Sequence, residues 1–348
     1  MAFISFQPTD FFNPLIWTGD GGASRSITGV GFQPDMVWIK QRDGTNNHML
    51  ADAVRGANNK INPNTNAAND TNATSLTAFG ADGFTAGTNT EINASGSTYV
   101  GWNWKAGTTS GLSGGTITPT AYSINASAGW GIYKYTGGSS TDTIAHGLGV
   151  APKMIIIKSL TTTNDWTVYH ESIGNAKLLV LNTTAAESSD ATTWNSTSPT
   201  STVWSMGNSG DVNNSARDYI AYAFAPKKGF SSFGSYDGSG QLDGPFIFTG
   251  FSPAFVMVKV TDDAVHDWYM WDNRRSPSGG YNEQKYRLMA NQSSAEGTSA
   301  NYIIDMVSNG FKLRDNNVGC NGNGNKFIYM AFAEFPLVSS NSKPGTAR

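Results

Sequence analysis

The sequence predicts an all-β protein: three tandem antiparallel β-sandwich domains, jelly-roll-like in their strand arrangement, with short terminal arms. Three observations predict this fold. One strand-forming phrase occurs three times, each copy is followed by the same later landmarks, and no long amphipathic helix pattern is present. The copies lie roughly one hundred residues apart, which suits whole domains, whereas solenoid repeats are roughly 20 to 50 residues long.

The repeated phrase is Gly-x-x-Pro, one further residue, four large apolar residues and a lysine. Its copies span residues 31–40, 149–158 and 250–259. Proline fixes its own backbone angle and cannot donate to a ladder, so it marks the start of a strand. Four consecutive apolar residues are too few for a helix, and they predict a central strand that is covered on both faces.

Two later landmarks follow each phrase in the same order. A polar, alanine-containing turn comes first, at residues 64–68, 182–186 and 291–295. An aromatic-rich run that mixes large and small residues comes next, at residues 99–104, 219–224 and 327–332. The alternation has the period of a strand, so each aromatic run is predicted to be the strand that closes its domain.

The landmarks set the predicted domain boundaries. The three β-sandwich repeats span residues 14–107, 131–228 and 229–337, each with an independent core, and residues 338–348 form a C-terminal tail. Residues 108–130 are interpreted as a linker, because residues 108–115 are rich in Gly, Ser and Thr and so typical of a flexible connection. The second connection is short, which predicts that repeats two and three pack together.

Residues 1–13 precede the first landmark and contain Phe3, Phe6, Phe11 and Phe12. Two interpretations are open for this apolar segment. It is either an assembly arm that docks on a partner or another strand of the first core, and we take the assembly arm as the working prediction.

The composition excludes several classes of function. Only 14% of residues are charged and the formal net charge is −3, so there is no basic surface for nucleic acid. A single cysteine excludes a disulfide framework and a cysteine-based zinc site, and no metal or cofactor is predicted. No apolar stretch approaches the roughly 20 residues that a membrane-spanning helix needs. The N-terminus lacks the features of a signal peptide, so synthesis in the cytoplasm of a cell is expected.

The histidines do not form a catalytic or metal-binding pattern. His48 stands at the position of Trp166 and Trp268 in the other copies, which indicates an amphipathic structural role. His170 stands where the other copies have Asp52 and Asp272. None belongs to an H-x-x-x-H or H-E-x-x-H motif.

Carboxylates and tryptophans supply the remaining candidates. Asp267 and Asp272 form the best carboxylate pair for glycoside hydrolysis, but no recognisable catalytic motif surrounds them. Glycan depolymerase activity is therefore the least favoured function, and no catalytic residue is predicted. Trp194 lies in a polar loop and Trp130 at the end of the linker. Exposed aromatic rings stack on sugars and anchor interfaces, so these two are the candidate ligand or interface contacts.

Several phrases resemble a family of bacteriophage virion proteins that is common in marine phages. The resemblance covers nearly the whole chain, and its phrases are residues 6–13, 29–40, 82–84, 99–107, 166–170, 309–314 and 329–334.

The resemblance implies a non-enzymatic structural protein of the virion, since members are described as tail or fibre components or simply as structural proteins. The expected location is therefore the tail or a tail fibre, where the protein assists assembly or host attachment. The alternative is a capsid decoration or head-fibre protein on the phage head. The implied partners are other virion proteins, further copies of the chain in a homo-oligomer and, at the host surface, a glycan.

Overall fold

Among the described residues, every regular element longer than four residues is a β-strand, so the predicted all-β class is confirmed. The computed structural model describes residues 6–275, 282–298 and 301–335. Phe3 and the predicted tail 338–348 lie outside the described residues.

The strands fall into three successive units. Unit 1 contains β1 (Phe12–Thr18), β2 (Arg25–Thr28), β3 (Met36–Gln41), β4 (Met49–Asp52), β5 (Asn59–Lys60), β6 (Asp70–Thr71), β7 (Leu76–Gly80), β8 (Gly83–Ala86), α1 (Thr90–Asn93) and β9 (Thr98–Trp104). Unit 2 contains β10 (Ala121–Asn125), β11 (Trp130–Thr136), β12 (Asp142–Ala145), β13 (Met154–Ser159), β14 (Thr167–His170), β15 (Lys177–Val180), β16 (Ser188–Ser189), β17 (Val203–Met206) and β18 (Asp218–Phe224). Unit 3 contains β19 (Ser231–Asp237), β20 (Phe246–Phe248), β21 (Ser252–Val260), β22 (Tyr269–Asp272), β23 (Glu283–Gln284), β24 (Leu288–Met289), β25 (Ile304–Val307), β26 (Gly310–Leu313), α2 (Val318–Asn321) and β27 (Lys326–Phe335). Two short 3-10 helices, Pro8–Asp10 and Glu171–Ile173, complete the set.

Each unit is a sandwich of an inner and an outer sheet. The inner sheets have the orders β1-β9-β3-β4, β10-β11-β18-β13-β14-β15-β16 and β19-β27-β21-β22-β24. The outer sheets have the orders β2-β8-β7, β12-β17 and β20-β26-β25-β23. In unit 1 the first strand pairs with the last and the second with the last but one, all antiparallel, and unit 3 repeats this nesting. Unit 2 repeats it from its second strand, since β11 pairs with β18 and β12 with β17, while β10 adds an edge strand to β11. The predicted β-sandwich architecture is therefore confirmed.

The repeated phrases occupy equivalent places in the three inner sheets. Two residues after each proline, the first apolar residue pairs with an aromatic residue of the closing strand: Met36 with Trp104, Met154 with Phe224, and Phe255 with Phe332. A residue can therefore be compared across units by counting from these pairs.

The central strands are buried on both faces, as their continuous apolar character predicts. In β3, Val37 and Ile39 point into a core between the two sheets of unit 1. The alternate residues Met36 and Trp38 point to the opposite side, into a core that all three units share. The period of two along a strand explains how one short run supplies both cores.

The shared core corrects the expectation of three independent cores. Each unit does have its own core, but a fourth cluster joins residues such as Trp102, Tyr222 and Phe332 from units 1, 2 and 3. The reason is that the second face of every inner sheet is also apolar and must be removed from water. The cavity left at the centre measures about 10 Å³, enough for about one water molecule, so the units pack closely.

The N-terminal segment packs on its own chain. Phe12 begins β1 and is fully buried opposite Trp104. The rings of Phe6 and Phe11 stack 4.5 Å apart, and both contact Phe230 of unit 3. The assembly-arm prediction is therefore wrong for Phe6, Phe11 and Phe12, because these rings fill intramolecular sites, and the alternative of a further core strand holds for Phe12.

The predicted linker is also an ordered part of unit 2. Within residues 108–130, Thr108 and Ile124 exchange two backbone hydrogen bonds of 2.9 Å, and β10 pairs with β11. The amides of Thr116 and Ile117 donate to Thr143 O at the edge of the outer sheet. A Gly- and Ser-rich composition predicts flexibility, but here the segment covers strand edges that would otherwise leave backbone groups unpaired.

Candidate functional site

The three units are joined by equivalent contacts that run in a closed cycle. The amide of Asn69 in unit 1 donates to Leu160 O in unit 2 at 3.0 Å. Glu187 N of unit 2 donates to Thr261 O of unit 3 at 2.7 Å, and Glu296 N of unit 3 donates to Arg42 O of unit 1 at 2.7 Å. Head-to-tail contacts that close in this way form a ring, so the chain builds a ring of three from one polypeptide. We name the three interfaces junctions 1/2, 2/3 and 3/1.

A second set of cyclic contacts uses the position that the sequence assigned to His48, Trp166 and Trp268. Each side chain reaches back to a backbone carbonyl of the preceding unit. The distances are 3.0 Å from Trp166 Nε1 to Thr65 O, 3.0 Å from Trp268 Nε1 to Val180 O, and 3.0 Å from His48 Nε2 to Met289 O. The prediction that His48 has a structural role is supported by these contacts, because its imidazole is placed like an indole.

Junction 1/2 contains a buried ion pair that crosses to the neighbouring unit. Asp52 Oδ2 accepts a hydrogen bond from Arg55 Nε at 2.6 Å and one from the Tyr222 hydroxyl of unit 2 at 2.7 Å. Burial opposes the charge on Arg55, but the adjacent carboxylate still holds the pKa of the guanidinium above its ordinary value. The Tyr222 hydroxyl thus adds a hydrogen bond from unit 2 to a carboxylate that Arg55 already pairs within unit 1.

Junction 3/1 repeats this arrangement with a larger network. Asp272 Oδ2 accepts from Arg275 Nε at 2.6 Å and from Trp102 Nε1 of unit 1 at 2.9 Å. Arg275 Nη1 also donates to Glu296 Oε1 at 2.8 Å, and Glu296 pairs with Arg42 of unit 1 at 2.8 Å. Asp272, the second half of the predicted carboxylate pair, is therefore enclosed in a structural ion-pair network.

Junction 2/3 has no counterpart of this ion pair at the equivalent positions. His170 replaces the aspartate, and its Nε2 lies 3.4 Å from Tyr329 O of unit 3. Burial lowers the pKa of His170 to about 4, so the imidazole is neutral at pH 7. Ile173 stands where the other junctions have arginine. A cleft of about 350 Å³ opens here, between Ile173, Lys177 and Glu187 of unit 2 and β19 and Thr261 of unit 3.

The lysine that ends each repeated phrase is fully buried. Lys40 Nζ donates to the carbonyl oxygens of Gln41 and Gly44 at 2.7 and 2.9 Å, and Lys158 makes equivalent contacts. Lys259 Nζ donates to His266 O and also reaches Thr184 O of unit 2. Burial lowers the pKa of each of the three to about 8. The ammonium groups thus bind loop carbonyls, a structural role that the sequence did not indicate.

The two tryptophans proposed as surface contacts are buried instead. Trp130 lies in β11, where its ring stacks on Phe224 in the shared core and its Nε1 donates to Lys105 O at 2.9 Å. Trp194 inserts into the core of unit 2 and meets Tyr169 edge to face at 5.5 Å. That prediction is wrong, because local polar composition does not reveal that a loop folds its aromatic ring inwards.

The exposed aromatic side chains lie elsewhere. Phe246 and Phe248 on β20 are 46% and 59% exposed and share one face of an edge strand of unit 3. The equivalent strand of unit 1 carries Ser26 and Thr28 at these positions. Exposed apolar side chains grouped on one strand are typical of interaction surfaces. The run of three apolar residues at 246–248, apolar on both faces of a short strand, could have indicated this surface in the sequence.

Two further findings bear on the described residues. Nowhere in ranges 6–275, 282–298 and 301–335 do three or more His, Cys, Asp or Glu side chains come together as a metal site. No helix in the described part of the chain is long and apolar enough to cross a membrane.

The chain belongs to a family described as a domain of unknown function (DUF7483), whose model matches residues 7–336. The matched segment includes all three units, so the family model corresponds to the whole ring. No match was found among curated proteins or among solved structures.

Proposed function

We propose that this member of the family is a non-enzymatic structural protein of a bacteriophage virion, placed in the tail or a tail fibre, where it joins other virion proteins or contacts the host surface. The observation that carries the proposal is the closed ring of three sandwich units. Buried polar contacts join the units to one another: Asp52 accepts from Tyr222 of unit 2, Asp272 accepts from Trp102 of unit 1, and Glu296 pairs with Arg42 of unit 1. Such a design serves rigidity and the presentation of outer surfaces.

The ring also explains how the protein would fit a particle. Three copies of one fold around a common centre present three similar faces, which suits a partner with threefold symmetry. The differences between units, such as Phe246 and Phe248 in unit 3 only, would orient the ring relative to that partner. The resemblance to phage virion proteins gives the proposal its biological setting.

A second location, the surface of the phage head, is favoured by the same ring. A capsid lattice contains threefold and pseudo-threefold positions, and a single chain with three similar units could decorate one of them. Homo-oligomerisation and contact with a host glycan remain part of the proposal in either location.

Imaging of intact particles tests the proposal. A gold-labelled antibody against the chain should decorate the tail or its fibres in electron micrographs. Label on the head shell would support the decoration alternative, and absence of the chain from purified particles would contradict a virion role. The non-enzymatic part is tested separately, since purified protein should leave host polysaccharide at its original length.

A further inference from the structure

The cleft in junction 2/3 exists because two positions carry smaller side chains than their equivalents in the other junctions. Ile173 occupies the place of Arg55 and Arg275, as counted from the strand pairs of β14, β4 and β22. Thr261 occupies the place of Arg42, two residues after the buried lysine of its unit. This combination of side chains occurs at junction 2/3 alone among the three junctions, and a further cleft of about 310 Å³ between units 1 and 2 has a different lining that includes Ala53 and Val54.

The acceptor that arginines use elsewhere is retained in the cleft. Glu187 corresponds to Glu296, because the backbone amide of each donates to the equivalent carbonyl of the next unit. Glu296 binds Arg42 and Arg275, but Glu187 forms an ion pair with Lys177 at the cleft wall. The side chain of Glu187 is 20% exposed, so its carboxylate remains accessible from the cleft.

The charges that line the cleft cancel. Lys177 and Lys326 contribute two positive charges, and Glu187 and Asp237 contribute two negative charges. Ser172, Ser235 and Thr261 add hydroxyl groups. Because the lining charges cancel, the cleft does not favour a positively or a negatively charged ligand. An apolar ligand is also disfavoured, because it would leave the donors and acceptors of the lining without hydrogen-bond partners.

A ligand with several hydroxyl groups fits this lining. Each hydroxyl can donate to a carboxylate and accept from an ammonium group, so it matches both kinds of wall. The partly buried side chain of Ile173 provides an apolar floor for the C–H face of a ring. The volume of about 350 Å³ lies within the range of about 300 to 1,000 Å³ that is common for small-molecule sites.

We propose that the cleft in junction 2/3 binds an uncharged carbohydrate. The inference extends the proposed function, because it places a host-surface glycan at a defined site. Its test uses the purified full-length chain, so its outcome does not depend on where the chain lies in the particle.

The experiment titrates the protein with four neutral oligosaccharides: maltotriose, cellotriose, mannotriose and N,N′-diacetylchitobiose. Binding is followed by saturation-transfer difference NMR and by amide shifts near the cleft. We expect at least one of them to bind and to shift the amides of Ser235 and Thr261. Inorganic phosphate, tested in parallel, should not bind there.

Thr261→Arg is the decisive variant, because it rebuilds the arrangement of junction 3/1. The new guanidinium should pair with Glu187 as Arg42 pairs with Glu296 at 2.8 Å, so that the cleft is filled and the fold is retained. Affinity should fall at least tenfold. Thr28→Arg is the matched control, because Thr28 is exposed on β2 of unit 1, and it should bind like the wild type.

Ser235→Arg is a second filling variant, at an exposed position on the cleft rim, and it keeps the test valid if Thr261→Arg does not fold. Failure of all four oligosaccharides to bind would overturn the inference. So would undiminished binding by either folded filling variant, or binding of phosphate alone. None of these results depends on where the antibody label lies in electron micrographs of the particle. A failure of the carbohydrate proposal can therefore be distinguished from a failure of the proposed virion function.

Discussion

The hydroxyl of Tyr222 offers a direct probe of how units 1 and 2 are joined. It donates to Asp52 Oδ2 at 2.7 Å, and both side chains are buried. Tyr222→Phe removes this donor and keeps the aromatic side chain in the shared core. Because the acceptor is a charged group, the free energy of unfolding should fall by about 1.5 to 3 kcal/mol.

Tyr135→Phe is the control for this prediction. The Tyr135 hydroxyl is also buried, but it donates at 2.7 Å to the neutral carbonyl of Val212 within unit 2. Its removal should cost about 0.5 to 1.5 kcal/mol. Urea unfolding followed by tryptophan fluorescence measures both variants, and the m-value checks that the unfolding remains comparable.

A double-mutant cycle with Asp52→Asn assigns the difference to the contact itself. Tyr222→Phe should lose most of its effect when Asp52 is already replaced. If Tyr222→Phe destabilises the chain no more than Tyr135→Phe, or if its effect is unchanged by Asp52→Asn, the hydroxyl does not secure junction 1/2 and our reasoning about it is refuted.

Three further predictions concern pH and backbone geometry. The pKa of Lys259 is about 8 in the folded chain and about 10.4 when unfolded, so the folded state binds fewer protons above pH 8. The free energy of unfolding should therefore rise from pH 8 to about 10, by up to about 3 kcal/mol per buried lysine. Lys259→Met should flatten this rise measurably in urea titrations. The pKa of His170 is about 4 when folded and about 6.5 when unfolded, so the free energy of unfolding should decline by up to about 3 kcal/mol as the pH falls from about 6.5 to 4. The decline should be smaller in His170→Gln. An equal decline in the variant would contradict this assignment. Gly83 has a φ of +143°, and a Cβ there would lie 2.0 Å from Ile27 O. Gly56 also has a positive φ, of +85°, but a Cβ there would meet no atom within 4 Å, so Gly56→Ala should cost only the backbone strain of about 1 to 2 kcal/mol. Gly83→Ala adds the clash with Ile27 O and should therefore lower the melting temperature at least twice as much as Gly56→Ala.

The repeats and their strands could be predicted because each phrase carries local signals. Proline and glycine mark the turn before β3, and the following apolar run has too little length for a helix. Burial on both faces also followed from that run. What the run does not encode is which surface covers the second face, since apolar residues pack on any apolar partner, and so the shared core was missed.

The wrong predictions have the same physical origin. Trp194 stands among Thr and Asn residues, and Trp130 follows a Gly- and Ser-rich segment, so their surroundings in sequence are polar although their surroundings in space are apolar. One signal for the junctions was available. Asp52-x-x-Arg55 recurs as Asp272-x-x-Arg275, and the aspartates stand 12 and 13 residues after the lysines that end their repeated phrases. A repeated buried ion pair of this kind indicates a repeated interface.

Amide hydrogen exchange of the native chain tests most directly whether the three units form one cooperative ring. The amides of Asn69, Glu187 and Glu296 each cross a different junction. A cooperative ring predicts that all three exchange with the same free energy of opening, close to that of global unfolding. If one of these amides exchanges at a clearly lower free energy while strand amides in all three units stay protected, that junction opens on its own and the units are not a single cooperative ring.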